Sequence, residues 1–185
     1  MKIQDGTGSG RSAAVTTSNR LTTSAVTQEQ PHFIARQSGK AWSYTLKDVD
    51  PTGADDYFFY FKNTSTAFTY NLNSLRLAST VAGQLEVQAV SGTASGGSAV
   101  TAVSHQVNST ASPEATAESG VDITGLTSDG ILYLLTYEAD KTVELNSHSR
   151  VIIPPGQAIA LLWGESTGVI SGTISMYELP VDVVV

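Results

Sequence analysis

Short blocks of alternating apolar and polar residues are the feature that most limits how this chain can fold. Ala41–Lys47 (AWSYTLK) alternates and runs into the turn formers of Asp48–Gly53, and Gln84–Val90 (QLEVQAV) alternates again. A period of two residues places every second side chain on one face of a strand, whereas a helix needs a period near 3.6. The pattern therefore predicts an all-β chain.

Further apolar blocks recur at the spacing of a many-stranded β protein. Roughly eight to ten strands at 8–12-residue spacing favour a jelly-roll-like antiparallel β-sandwich. We expect a bulge near Asn73 and Ser74, and a turn at Pro154–Gly156, since proline cannot sit inside a central strand. The other predicted strands are Tyr57–Lys62, Ala67–Leu77, Thr142–Leu145, Ile131–Tyr137, Arg150–Ile153, Ala158–Trp163 and Val169–Leu179.

The first thirty residues differ from this pattern, because a few apolar residues are dispersed among Gly, Ser, Thr and Asn. Such a stretch buries too little apolar surface to offset its ordering entropy, so it stays mobile or is ordered by another protein. Residues 1–47 carry a net charge of +4 and the remainder −11. A basic, extended segment on an acidic body is typical of a docking arm. Its candidate contact residues are Ile3, Arg11, Val15, Arg20, Leu21, Val26 and Arg36.

These features divide the chain into an extended N-terminal arm, residues 1–30, and one β-sandwich body, residues 31–185. Within the body, residues 91–120 are rich in Gly, Ser, Ala and Thr. We expect them to form a long surface loop or hairpin insertion, because loops of this length are usually functional or mobile.

Composition excludes several classes of function. The chain of 185 residues has no cysteine, which excludes disulfides, thiol catalysis and cysteine-ligated metal sites. Its net charge of −7 argues against a nucleic-acid partner, which needs clustered Lys and Arg. No apolar run is long enough to span a membrane, and the N-terminus lacks the apolar core of a secretion signal, so we expect synthesis in a cytosol.

Catalytic motifs are weak. Gly164–Gly168 fits the G-x-S-x-G pattern around Ser166, but it joins two predicted strands and no His follows it, so a turn is favoured over a hydrolase site. The glycines at positions 6, 8 and 10 lack the preceding strand and following helix of a phosphate-binding loop. We expect no catalytic residue and no cofactor.

Metal sites find little support either. Asp48–Asp56 holds four carboxylates that could wrap a Ca²⁺ ion, although a solvated turn is favoured because EF-hand spacing is not met. His32, His105 and His148 lack metal-ligand spacing and are expected at the surface. The sequons at Asn63 and Asn108 mean little without a secretion signal.

Two apolar runs point to contacts beyond one monomer. Tyr57–Phe61 is a run of five aromatics, of which one face should enter the core while the other packs on a neighbouring subunit or stacks on sugars. Val181–Val185 (VDVVV) would be an aggregation hazard in water, so we expect it to pair with an edge or a partner.

Two parts of the sequence resemble structural proteins of tailed-phage virions: Ile3–Val15 (IQDGTGSGRSAAV) with the following Asn19–Leu21 and Ala25–Thr27, and Ile153–Gln157 (IPPGQ) before an apolar strand. The resemblance implies a non-enzymatic capsid decoration (cement) protein of jelly-roll type. It would form a homotrimer that binds the major capsid protein on the virion surface, after synthesis in the bacterial cytoplasm. The alternative is a receptor- or glycan-binding module of a head or tail fibre, which would use outward aromatics and the 91–120 insertion.

Overall fold

The computed structural model describes residues 2–4, 12–15, 21–22, 34–35, 38–145 and 151–181, and this part of the chain is all-β. One helical turn at Ile34, Ala35 and Ser38 precedes the body. The strands, in chain order, are β1 (Lys2–Gln4), β2 (Ser12–Val15), β3 (Leu21–Thr22), β4 (Ala41–Val49), β5 (Asp56–Asn63), β6 (Phe68–Ser79), β7 (Gly83–Ser95), β8 (Ser98–Ala99), β9 (Ala102–Ser104), β10 (Ala115–Ser119), β11 (Thr124–Tyr137), β12 (Thr142–Leu145), β13 (Ile152–Ile153), β14 (Ala158–Trp163) and β15 (Ile170–Pro180).

The body is built from two antiparallel sheets. Sheet I has the order β11-β7-β14-β5-β10-β8, and sheet II has the order β12-β6-β15-β4-β9, with β13 also pairing with β6. The pairing is nested along the chain: β4 pairs with β15, β5 with β14, β6 with β12, and β7 with β11. The first long strand of the body thus pairs with its last strand, and the following strands pair in the same way toward the middle of the chain.

Alternating side chains from both sheets form the main core. Trp42, Tyr44 and Leu46 point inward from β4, as the alternation of this segment predicts. Rings from the two sheets meet edge to face, with the centroids of Phe61 and Tyr70 5.0 Å apart. Such aromatic pairs add about 0.5–1.5 kcal/mol to the stabilisation from burial alone.

Strand β14 is buried along its whole length because it lies between β7 and β5 in the middle of sheet I. Ile159, Leu161 and Trp163 enter the main core. Ala158 and Ala160 point the other way, into a second apolar cluster with Tyr60, Val90 and Ile123. The continuous apolar sequence AIALLW is therefore explained by burial on both faces.

The bulge predicted near Asn73 and Ser74 is confirmed. Ser175 of β15 pairs with Ser74, and the next residue, Met176, pairs with Leu72, so Asn73 is the unpaired extra residue. Because of this extra residue, Leu72 and Leu75, which lie on either side of the bulge, both point into the core.

The aromatic run corrects one expectation, because Phe58, Phe59, Tyr60 and Phe61 are all buried. The pairing of β5 with β14 shifts between Leu161 and Leu162 and leaves Phe58 as a bulge, so two consecutive phenylalanines enter the main core. Tyr60 faces outward but packs in the second cluster of the same chain. Neither Phe58 nor Tyr60 therefore offers an aromatic surface to a partner.

Residues 91–120 were expected to form a surface loop or hairpin, and they instead extend both sheets. The segment contains the end of β7 followed by β8, β9 and β10. Strand β10 pairs with β5 in sheet I, and β9 pairs with β4 in sheet II. The insertion therefore covers the β4 and β5 side of the sandwich with short strands.

Candidate assembly surface

Strand β11 exposes large apolar side chains. Ile131, Leu132 and Leu134 are 56%, 44% and 54% exposed. Tyr133, which lies between Leu132 and Leu134, and Leu135, which follows Leu134, pack against the main core instead. The sequence ILYLLTY, which has the composition of a core strand, thus presents apolar groups to solvent.

Strand β11 is also a sheet edge. It ends the strand order of sheet I, and within the described residues no strand pairs with its outer side. The opposite ends of the sheets are β8 with two residues and β9 with three, and β12 has four, whereas β11 has fourteen. Natural sheets blunt their edges with short strands or charges, because a long free edge pairs with other chains. The long apolar edge of β11 is therefore a candidate contact surface.

An apolar groove adjoins this edge. It has a volume of about 450 Å³ and is lined by residues that include Leu132, Ile152, Pro154 and Ile159. Ile152, on β13 of sheet II, is 57% exposed. The groove continues the apolar surface of β11 (Ile131, Leu132 and Leu134) toward sheet II. We call these three residues and Ile152 the β11 patch.

Charge is arranged around the β11 patch rather than on it. Residues 130–137 carry no charge. Asp129 precedes this stretch, Glu138 and Asp140 follow it, and Glu86 pairs in register with Leu134. Over residues 38–145 and 151–181 the body has five Lys or Arg against fourteen Asp or Glu, a net charge of −9. The patch is neutral with a mainly acidic rim, although Lys141 lies close by in sequence.

The predicted arm residues fall partly within the described chain. Ile3 lies in β1, Val15 in β2 and Leu21 in β3. Arg11, Arg20, Val26 and Arg36 lie outside the described residues. Strands β1, β2 and β3 form a three-stranded antiparallel sheet that is separate from sheets I and II. Sequence analysis expected one extended segment and did not predict this local pairing; its role as a docking arm stays a prediction.

A hydroxyl–imidazole pair lies on sheet II, and sequence analysis missed it because its members are 62 residues apart. The Ser43 Oγ and His105 Nε2 atoms are 2.7 Å apart. Burial lowers the pKa of the His105 imidazole below its usual value, which favours the neutral ring. The backbone N–H of His105 donates to the carbonyl of Ala41. These two hydrogen bonds link His105 of the insertion to β4.

A partly buried ion pair lies at the start of the body. Lys40 Nζ lies 2.9 Å from the Glu178 carboxylate and over the ring of Phe68. The hydroxyl of Tyr70 donates to the other carboxylate oxygen. Burial, followed by the hydrogen bond to Glu178, raises the pKa of Tyr70. Both acceptor oxygens of the buried carboxylate are thus satisfied, which indicates a structural role.

The remaining sequence motifs have structural explanations. Gly164–Gly168 joins β14 of sheet I to β15 of sheet II, so it is a connection between sheets, neither a hairpin turn nor the strand-to-helix turn of a nucleophile elbow. In the acidic loop, Asp56 accepts hydrogen bonds from Thr52 and Gly53, and Asp48 accepts one from Ser171. Among the described residues, no three His, Cys, Asp or Glu side chains gather into a metal-ion site.

Other predicted positions lie at or beyond the limits of the described chain. His32 and His148 fall outside it, as do residues 182–185 of the apolar C-terminal run. The backbone N–H of Val181, at the start of that run, donates to the carbonyl of Ala67. No helix in the described ranges has the length and apolar character needed to cross a membrane.

Comparison with known proteins gives no relative: no family model, curated protein or solved structure matches this chain. The β11 patch, the charge of the body and the sheet topology are therefore the features that bear on the candidate function.

Proposed function

We propose that the protein is a non-enzymatic structural component of a virion, a capsid decoration protein whose body is a jelly roll. The nested pairing of β4 with β15, β5 with β14, β6 with β12 and β7 with β11 supports the jelly roll, because such a fold is one long hairpin wound on itself. The insertion then occupies the connection between the two strands of the innermost pair.

The observation that carries the assembly role is the β11 patch. A monomeric protein rarely leaves a cluster of large apolar side chains on a strand edge exposed to water, since it invites association. The patch combines four large side chains that are about half exposed, and three of them lie on an edge that no strand of the described chain pairs with. A subunit that works within an oligomer has a partner for such an edge.

The leading residues supply the link to a capsid. The segment Ile3–Val15 resembles virion proteins of tailed phages, and Arg11 and Arg20 of the first thirty residues favour an acidic or polar protein surface over burial in the core of their own chain. In this proposal a homotrimer sits on the outer surface of the capsid, and each arm binds the major capsid protein or a neighbouring subunit. Three linked contacts raise the avidity by about 10²–10⁴ over one contact.

Strand β5 gives the fibre alternative less support than its aromatic run suggested, because Tyr57 is the one aromatic of that run that is not fully buried. A glycan platform on β5 needs outward aromatics, and Phe58 and Tyr60 are buried by their own chain. The capsid role needs no such platform.

Co-sedimentation with purified shells that lack the protein tests the proposal. We expect saturable binding in multiples of three copies, and stronger resistance of the shells to heat. Deleting residues 1–30 should lower the apparent affinity about 100-fold, because the trimer loses its linked contacts. The pair Arg11→Lys with Arg20→Lys is the control, since it keeps the charge and should bind like the wild type. Shells that never retain the full chain would contradict the proposal.

A further inference from the structure

The β11 patch needs a partner whose chemistry matches it, and the chain itself contains one. The patch requires an extended segment with apolar side chains, to add to the strand edge and fill the groove beside Leu132 and Ile152. The acidic rim at Asp129, Glu138 and Asp140 favours a segment with positive charge and disfavours a second acidic body.

Residues 6–28 have this chemistry. Arg11 and Arg20 are the charged residues of that stretch, and they flank the short apolar segments of β2 and β3. Strand β2 lies between β1 and β3 in their sheet, so β1 and β3 are its edges. The stretch is thus basic, its strand β3 has one edge that no strand of the described chain pairs with, and it is free of the acidic residues that would be repelled by the rim.

We propose that the β11 patch receives the leading segment, residues 1–30, of a second copy of the chain, through its acid-free stretch 6–28. Each subunit then donates one segment and receives one, a head-to-tail contact that closes into a ring when the rotation allows. This inference rests on the proposed function for the trimer, and it adds the receiving surface. Eleven residues, 23–33, separate β3 from Ile34, and a chain of that length spans at most about 40 Å, enough to reach a neighbouring body.

The choice of a donor segment over direct pairing of two β11 strands follows from charge. Two bodies of net charge −9 repel each other, and antiparallel pairing of two β11 strands would add their acidic rims to the same contact. A basic segment neutralises part of that rim. The contact should therefore weaken as salt rises, which a purely apolar contact would not do.

Two complementary variants of the full chain test the inference. Leu134→Lys places a positive charge in the receiving patch, at a side chain exposed enough to tolerate it. Arg11→Glu with Arg20→Glu reverses the charge of the donor. We expect the wild type to be a trimer by light scattering, and each variant alone to be a monomer at the same micromolar concentration. Val103→Lys is the matched control, because Val103 is 60% exposed on β9 at the opposite edge; it should remain a trimer.

Mixing the two variants gives the decisive result. The Leu134→Lys chain still has an intact donor, and the charge-reversed chain still has an intact receiver, so one contact forms and the mixture contains 1:1 heterodimers that cannot close a ring. A wild-type monomer, an oligomer that survives both variants, or a mixture that stays monomeric would each overturn the inference. Loss of the trimer on Leu134→Lys, with no change on charge reversal, would identify a different part of the second copy as the occupant and overturn it as well.

Circular dichroism melting of each variant separates lost association from lost folding, and shell binding separates this inference from the proposed function. Trimers that assemble through β11 but ignore shells would contradict the capsid role alone. Shell binding by chains whose oligomers are insensitive to Leu134→Lys would contradict the β11 contact alone.

Discussion

At the scale of single residues, a buried amide holds one end of the sandwich together. Asn63 is fully buried at the end of β5. Its Nδ2 donates to the carbonyls of Phe68 and Ile153, and its Oδ1 accepts from the backbone N–H of Ser65. The side chain therefore fixes the turn into β6 and ties it to β13. The sequon that it begins is inaccessible to glycosylation in the folded protein.

Replacing Asn63 with Ala should lower the free energy of unfolding by about 3 kcal/mol, because three buried backbone groups lose a partner. Asn63→Asp should cost more, since a carboxylate would face two carbonyl oxygens. Urea unfolding measures both. Asn108→Gly is the control: Asn108 is exposed at a positive φ of 65°, which glycine accepts, so stability should change by less than about 0.5 kcal/mol. Equal losses at the two positions would contradict this explanation.

Buried tyrosines predict instability at alkaline pH. Burial raises the pKa of Tyr44, Tyr70 and Tyr137 above the usual 10. Their neutral form is thus favoured in the folded state, so this stabilisation is complete below pH 10. It declines as pH rises above 10, because the unfolded chain then releases protons that the folded chain retains.

Tyr137→Phe tests this at one site. The hydroxyl of Tyr137 is buried and has no hydrogen-bond partner among the described residues, so stability at pH 7 should change by less than about 1 kcal/mol. Above pH 10 the decline in stability should become shallower, by up to about 1.4 kcal/mol per pH unit. Unfolding curves between pH 7 and 11 supply the measurement, and an unchanged slope would be the contrary outcome.

At the scale of elements, local irregularities decide which side chains reach the core. The bulge at Phe58 turns two neighbouring rings inward, and the bulge at Asn73 keeps leucines on both sides of it inside. The C-terminal end of β7 and the N-terminal end of β11 form a ribbon, and their close pairing depends on glycine. Gly92 and Gly125 adopt positive φ of 101° and 78°, and a Cβ on either would collide with a carbonyl oxygen of the opposite strand.

Gly125→Ala should therefore be more costly than an ordinary glycine replacement. Gly156→Ala is a close control, because Gly156 has a φ of 77° and nothing within 4 Å of its added Cβ. The control should cost about 1 kcal/mol, the strain of a left-handed alanine. Gly125→Ala should cost at least about 2 kcal/mol more, since the backbone of Thr93 must also move. Equal costs in urea unfolding would mean that the ribbon is not closely paired.

At the scale of the whole molecule, the two sides of the sandwich differ in how their edges are covered. The insertion adds short strands beside β4 and β5, whereas no strand of the described chain pairs with the outer edge of β11, which carries the apolar residues Ile131–Leu135. The chain itself covers one side with short strands, and the other side has the properties of a surface that contacts another chain.

Hydrogen exchange should report this asymmetry. Peptides that cover Ala158–Trp163 should exchange slowest, because β14 is buried on both faces and paired on both edges. Peptides from Thr124–Tyr137 should be protected in the oligomer and should exchange at least about tenfold faster in the monomeric Leu134→Lys variant. Equal protection of β11 in both states would contradict an assembly role for this edge.

The sequence by itself determined the class of the fold, because alternation and turn residues act over a few neighbouring positions. The strands at Ala41–Val49 and Ala158–Trp163, the bulge at Asn73 and the turn before β14 all follow from such local patterns. Only the tertiary structure decided which apolar strands are covered. YFFYFK and ILYLLTY are both apolar, yet the first is buried by β14, β10 and the second cluster while the second lies at an edge. That difference depends on pairing between residues far apart in the chain, and composition within a strand carries no information about its neighbours.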